Sequence, residues 1–149
     1  MGSEMCIRDR PEIAYDISRK QYLSDVILQE LGKVFFRRKY FKIIGLTKAN
    51  IYTDNLNFIF GQAIMNGCCA IVSTYMLDER NYGKEEDSEL LLLRTVKECV
   101  HELGHTLGLG HCSDPKCVMR FSNSVKWVDY KSEDFCNRCR SVLSRYLRR

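Results

Sequence analysis

The sequence predicts a single domain of the α+β class, with α/β character, that ends in a small cysteine-rich part. Three observations carry this reading. Two stretches with apolar residues at helical spacing enclose three short runs of strand character. The last two runs are separated by Asn66-Gly67, a strong tight-turn signal. Beyond His111 the periodicity ceases and cysteines accumulate. At 149 residues the chain is long enough for one domain and too short for two ordinary ones. It divides into residues 1–10, a first part over 11–111 and a C-terminal part over 112–149.

Residues 1–10 show no positive-then-apolar signal pattern and no periodicity. Met1-Gly2-Ser3 reads as an expression or sequencing scar, and Cys6 is set aside with it. Over residues 22–40, Leu23, Val26, Ile27, Leu31, Val34 and Phe35 recur at helical spacing and predict an amphipathic helix. Gly32 inside it costs about 1 kcal/mol relative to alanine. Arg37-Arg38-Lys39 suits the last turn, where cations complement the helix dipole. Strand-like runs follow at 42–47, 57–63 and 69–76, the first two joined by a polar connection containing Asn50, Asp54 and Asn55. Asn66-Gly67 pairs the second and third as an antiparallel hairpin. Phe58, Phe60 and Tyr75 read as core or cross-strand packing. In a strand, Cys68 and Cys69 would point to opposite faces, and they are expected to be plain residues that share no metal.

The polar loop 82–87 leads into a long helix. Asp87 or Ser88 can cap it, and Glu85, Glu86 and Glu89 place negative charge at its positive end. Leu92, Val96, Cys99, Val100, Leu103 and Leu107 are expected to form its continuous core face. The same helix carries the most informative stretch of the chain, residues 101–111, which contains all three histidines. His101 and His105, four apart, lie on one helical face and converge on one ion. His111 is too far along to share that face, so the helix must stop; Gly108 can take the positive φ that ends it. Three neutral imidazoles leave a fourth position open for water, as in a catalytic zinc site. Glu102 adjoins the first ligand and can take that water's proton without ligating the metal.

After His111, Cys112 and Cys117 are separated by four residues, and Cys136 and Cys139 by two. In a chain without a secretory signal these read as a closed Cys₄ structural zinc site that holds together a part too poor in apolar residues to fold alone. The expected complement is therefore two Zn²⁺ per chain, one catalytic and one structural. Because Cys112 directly follows His111, the two sites are joined through one loop. A final helix is expected from about residue 132. Phe135, Cys139, Val142, Leu143, Tyr146 and Leu147 would line one face, with Arg138, Arg145, Arg148 and Arg149 mainly on the other.

The stretch 101–111, followed by Cys112, by Cys117-Val118-Met119 and by the late Cys136-Asn137-Arg138-Cys139, resembles the archaemetzincins, zinc metallopeptidases of the metzincin clan. Phe121-Ser122-Asn123-Ser124 and Leu56-Asn57-Phe58-Ile59-Phe60-Gly61 are similar to the family as well, and the likeness covers residues 11–148. It implies a metzincin-type twisted, mostly parallel sheet that is mixed through an antiparallel edge, two long helices, and a cleft above the small zinc-stapled C-terminal subdomain. It implies that Met119 floors the metal site from a tight turn, that residues 57–63 form the edge strand rimming the cleft, and that the chain is a fragment lacking the first strand.

These readings predict a peptidase that hydrolyses peptide bonds with water activated by zinc and Glu102 as general base. Its substrates would be peptides or proteins. An alternative is a zinc-stabilised peptide- or protein-binding domain with little or no hydrolytic activity. A third reading, a nucleic-acid-binding zinc module built on the C-terminal arginines, is disfavoured. The net charge is only +4, without a large block of like charge, and no exposed aromatics are expected to interleave with the arginines, Tyr146 being assigned to the apolar face. No apolar run, residues 90–93 among them, comes near the length needed to span a membrane. The expectation is a cytoplasmic monomer with neither nucleic-acid nor membrane partners.

Overall fold

The structure, a computed structural model, describes residues 11–38 and 40–148. Residues 1–10 with Cys6, Lys39 of the basic run and Arg149 lie outside them. Two short strands, β1 (Tyr15–Asp16) and β2 (Gln21–Leu23), precede the first helix, α1 (Ser24–Arg38). The helix thus starts two residues later than its periodicity suggested, because Tyr22 and Leu23 are used in strand pairing. Strands β3 (Ile43–Thr47), β4 (Ile51–Thr53), β5 (Leu56–Ile59), β6 (Gly61–Ala63) and β7 (Cys69–Ser73) follow.

The seven strands form two ladders. One runs β1-β2-β4-β5 and the other β3-β7-β6. The β2–β4 and β3–β7 pairs are parallel; β1–β2, β4–β5 and β6–β7 are antiparallel. The arrangement is mixed as expected, but with more antiparallel than parallel pairs. The polar connection of Asn50, Asp54 and Asn55 contains β4, three residues long and too short for a periodic signal. The run 57–63 divides at Phe60 between the two ladders, and Phe60 O accepts from Ser73 N at 2.8 Å. The predicted hairpin is present: Gln62 faces Ile71 across the β6–β7 pair, and Asn66 takes φ +53° in its turn. Every residue of β7 is buried. Ile27 and Leu28 of α1 pack on Ile51, Ile59 and Ile71, which fixes the sheets against the helix. Phe58 and Phe60 meet edge to face at 5.5 Å.

The third run ends early, at Ser73, where a 3₁₀ turn (Tyr75–Leu77) begins. Cys68 precedes β7 instead of belonging to it, so strand alternation does not separate it from Cys69. Their Sγ atoms lie 3.1 Å apart, which corrects the expectation of opposite faces.

The long helix α2 (Ser88–Thr106) is capped by the Asp87 side chain, which accepts from Leu90 N at 2.9 Å. Its buried face is only partly the one expected: Leu107 is buried and Val100 packs on the C-terminal core, but the N-terminal half differs. Leu92 is 65% exposed and Val96 41%, whereas Arg94, Lys97 and Glu98 are buried. The reason is the short helix α3 (Val125–Tyr130), not anticipated from the sequence, which packs on α2 with ready-made counter-charges. Arg94 donates two 2.7 Å hydrogen bonds to the Asp129 carboxylate, and Lys97 donates to Val128 O and Asp129 O at 3.1 and 3.2 Å. The Lys131 ammonium, fully buried, sits 2.9 Å from Glu98 Oε1. The last helix, α4, covers Asn137–Leu147. It starts later than residue 132 because Cys136 stays extended as its N-cap and donates N–H to Cys117 Sγ at 3.3 Å. Among the described residues no helix is long and apolar enough to cross a membrane.

Candidate metal centres

Four backbone hydrogen bonds close the end of α2. Leu107 N donates to Leu103 O and Gly104 O, Gly108 N to His105 O and Leu109 N to Gly104 O. Gly108 sits at φ +87°, where a side chain is rarely tolerated, and turns the chain so that His111 comes back over the helix. The three imidazoles meet: ring centroids are 4.6 Å apart for His101 and His105, 5.0 Å for His105 and His111, and 5.4 Å for His101 and His111. One nitrogen from each lies within 4.8 Å of the others.

The hydrogen bonds fix which nitrogens are free. His101 Nδ1 donates to Val118 O at 2.8 Å and His105 Nδ1 to Leu109 O at 2.7 Å. A carbonyl can only accept, so both Nδ1 atoms carry their protons and both Nε2 atoms are bare in the neutral ring. The rings are held neutral: burial pushes the pKa of His101 well below its ordinary value, with the Lys131 charge adding, and burial lowers His105 and His111 as well. The two bare Nε2 atoms nevertheless face each other at 3.1 Å. Two lone pairs in that arrangement repel unless a cation lies between them. The separation is close to the ~3.3 Å that tetrahedral geometry sets for zinc–nitrogen bonds of about 2.05 Å. The donor set therefore fits a zinc ion.

Glu102 is 4% exposed. Burial raises its pKa well above the usual carboxylate range, with Glu98 one turn away adding repulsion and Lys131 opposing it. Its side chain lies against Gly61, where an added Cβ would meet Glu102 Cγ at 2.7 Å and Oε1 at 2.8 Å. Gly61 opens β6, the edge strand of its ladder, so the glycine lets the sheet edge close on the carboxylate. The edge is anchored from behind: Gln62 accepts from Ser24 Oγ and donates to Asp25 Oδ1 at 3.0 Å.

Met119 is fully buried in a tight turn closed by Arg120 N donating to Cys117 O at 2.9 Å. It packs under the helix at Gly104, where a Cβ would stand 3.0 Å from Met119 Cε. Phe121, 45% exposed, lies 5.1 Å from the His111 ring.

The second cluster joins Cys112, Cys117, Cys136 and Cys139, whose sulfurs all lie within 4.8 Å of one another. Cys112 and Cys136 are 3.8 Å apart, as are Cys117 and Cys139. That is the ~3.8 Å edge of a tetrahedron with metal–sulfur bonds of about 2.3 Å, and far from a disulfide. Burial opposes ionisation of Cys112, but the Asp114 N–H and the Arg138 guanidinium, 3.3 Å from the sulfur, bring its thiol down to about 7. Cys112 N donates to Met119 O at 2.9 Å, so the cysteine cluster and the turn beneath the histidines share one hydrogen-bonded loop.

Every candidate site residue named from the sequence is thus brought to one of two places. Gly61, Gly104 and the Glu98–Lys131 pair were not named. Gly104, between His101 and His105, carried a readable signal, since a glycine inside a helix marks a close approach; Gly61 and Lys131 carried none.

The chain matches the model of Peptidase family M54 over residues 3–145. It is 47% identical to an archaemetzincin of Methanopyrus kandleri over 139 residues, 93% of this chain and 75% of that protein. It superposes on the crystal structure of archaemetzincin from M. kandleri with a TM-score of 0.83 at 46% identity, covering 94% of this chain and 73% of that one. It also resembles a zinc-dependent peptidase from Methanocorpusculum labreanum, with a TM-score of 0.83 at 31% identity over 90% of this chain and 80% of that one. The chain belongs to peptidase family M54, the archaemetzincins, and is a metallopeptidase.

Proposed function

We propose that the chain hydrolyses peptide bonds with one zinc held by His101, His105 and His111, while a second zinc on Cys112, Cys117, Cys136 and Cys139 has a structural role. The observation that carries the reading is the pair of bare Nε2 atoms facing each other beside a buried carboxylate. When bound, the catalytic zinc supplies a Lewis acid for the scissile carbonyl and lowers the pKa of a water in its open position to about 7.

Glu102 takes the proton of the attacking water and later delivers it to the leaving amine. Its burial makes the ionised carboxylate a stronger base, and a neighbouring dication favours that ionised form. The carbonyls of Val118 and Leu109 hold the two imidazoles in the tautomer that offers Nε2. An extended peptide adds to the open edge of β6, main chain to main chain, which lays its backbone beside Glu102. The described cysteines are all free, which supports a reducing, cytoplasmic setting.

The test is Glu102→Gln, which keeps shape and removes the base. Zinc content should persist while hydrolysis of a peptide panel falls by about 10²-fold or more. Unchanged hydrolysis in that variant would refute the role.

A further inference from the structure

The metal centres leave Cys68 and Cys69 unused. We propose that they form a redox-active vicinal dithiol, oxidised by peroxide to a reversible disulfide whose closure is felt at the end of the metal-binding helix. The activity part of this inference rests on the function proposed above; the modification itself does not.

The two Sγ atoms are 3.1 Å apart, in direct contact. Cys69 is fully buried, its thiol donating to Leu28 O at 3.7 Å, whereas Cys68 is half-buried. Cys68 lines an open groove of about 660 Å³ together with Leu28, Gly32, Phe35, Phe36 and Ile64, so an oxidant in solution reaches its sulfur. Burial pushes the Cys69 thiol up to about 12, which keeps it protonated as the second partner in the reaction. No third histidine, cysteine or carboxylate completes a metal site around the pair among the described residues. Two adjacent sulfurs in contact also cannot take opposite sides of a linear ion.

The chemistry closes with peroxide as the only oxidant. The Cys68 thiolate attacks a peroxide oxygen; the S–O bond forms, the O–O bond breaks, and the released hydroxide takes up a proton to become water. Cys69 sulfur, losing its proton, then attacks the sulfenic sulfur; the S–S bond forms and the S–O bond breaks with loss of a second water. Neighbouring Cα atoms are about 3.8 Å apart across a trans peptide, below the usual span of a disulfide, so the bond is strained and easily reduced. Such a bond suits reversible regulation better than permanent stapling.

Closing that ring moves backbone that braces the metal site. Cys68 O accepts from Ile43 N of β3 at 2.9 Å and Cys69 O from Ile64 N at 3.0 Å, so the pair is fixed both to β3 and to the turn that joins β6 to β7. At the tip, Asn66 N donates to His105 O at 3.1 Å, and the Asn66 side chain fills the space beside Gly108. Lys42 Nζ ties Gly67 O, at 2.6 Å, to Thr106 O, at 3.0 Å. The dithiol is therefore one hairpin away from the second histidine and the turn that returns the third.

The experiment treats the zinc-loaded full chain with hydrogen peroxide, alkylates the remaining thiols and maps peptides by mass. The expected product is one peptide carrying a Cys68–Cys69 disulfide, recovered as two thiols after dithiothreitol. Cys69→Ala should stall at a Cys68 sulfenic acid that dimedone traps. Peptidase activity should fall about tenfold on oxidation of the parent chain and stay within about twofold in Cys68→Ser. Two alkylated thiols in the treated parent chain, or as much dimedone adduct there as in Cys69→Ala, would overturn the site. A disulfide without loss of activity would overturn the coupling. An absence of activity before treatment would instead count against the peptidase reading and leave the mass result standing.

Discussion

Gly61→Ala asks whether the approach of the sheet edge to Glu102 matters for chemistry. Carbon atoms settle at about 3.5–4.0 Å from one another. The new Cβ would stand 2.7 Å from Glu102 Cγ and 2.9 Å from Ile71 O. Ile71 belongs to β7, the central and fully buried strand of its ladder, so its carbonyl cannot retreat. The Glu102 side chain must give way by roughly 1 Å, and overpacking of this kind costs about 1–3 kcal/mol of stability. A displacement of roughly 1 Å in a catalytic group costs about 10²-fold in rate, equivalent to about 2.7 kcal/mol in the barrier. Steady-state kinetics on a peptide substrate, with zinc content and Tm measured on the same preparation, separate the two effects. The expected variant is folded, zinc-loaded and about 10²-fold slower. A folded Gly61→Ala with kcat/KM within about twofold of the parent would show that the contact does not position the base.

Two further perturbations probe the frame around the site. Lys131→Met removes the cation paired with Glu98, both side chains being almost wholly buried, and should cost about 3–5 kcal/mol in urea unfolding. The double variant with Glu98→Gln should recover most of that loss, and a single-variant cost below about 1 kcal/mol would show the pair to be solvated. Acidification tests the imidazoles. Burial holds all three below the ordinary histidine value of 6.5, so they stay unprotonated through the window just beneath it. Zinc and activity should therefore persist at pH 6.5 and be lost only on its acid side; loss beginning above it, followed by metal analysis after dialysis, would contradict the burial argument.

What was legible in the sequence was what short spacing encodes. His101, His105 and Gly108 state their geometry within one helix and its cap, and Asn66-Gly67 states a turn. Cys112, Cys117, Cys136 and Cys139 state a donor set even though their assembly is tertiary. Much of the buried face of α2 was not legible, because Arg94, Lys97 and Glu98 look solvent-facing until Asp129 and Lys131, some thirty residues on, supply their counter-charges. The three-residue strands β2 and β4 were hidden because pairing, and not periodicity, defines elements so short. The opposite-faces reading of Cys68 and Cys69 needed both to lie in a strand; β7 begins at Cys69, so alternation does not act on Cys68 and the two sulfurs lie side by side. Gly61 is one of nine glycines, and nothing in its neighbours announces that a carboxylate 41 positions away will rest on it.

Zinc content per chain is the most direct test of the central claim that three histidines and four cysteines form two separate metal sites. Atomic emission on the purified, desalted protein should give two zinc ions per chain. One ion would remove either the histidine or the cysteine site from the account, and none would remove both.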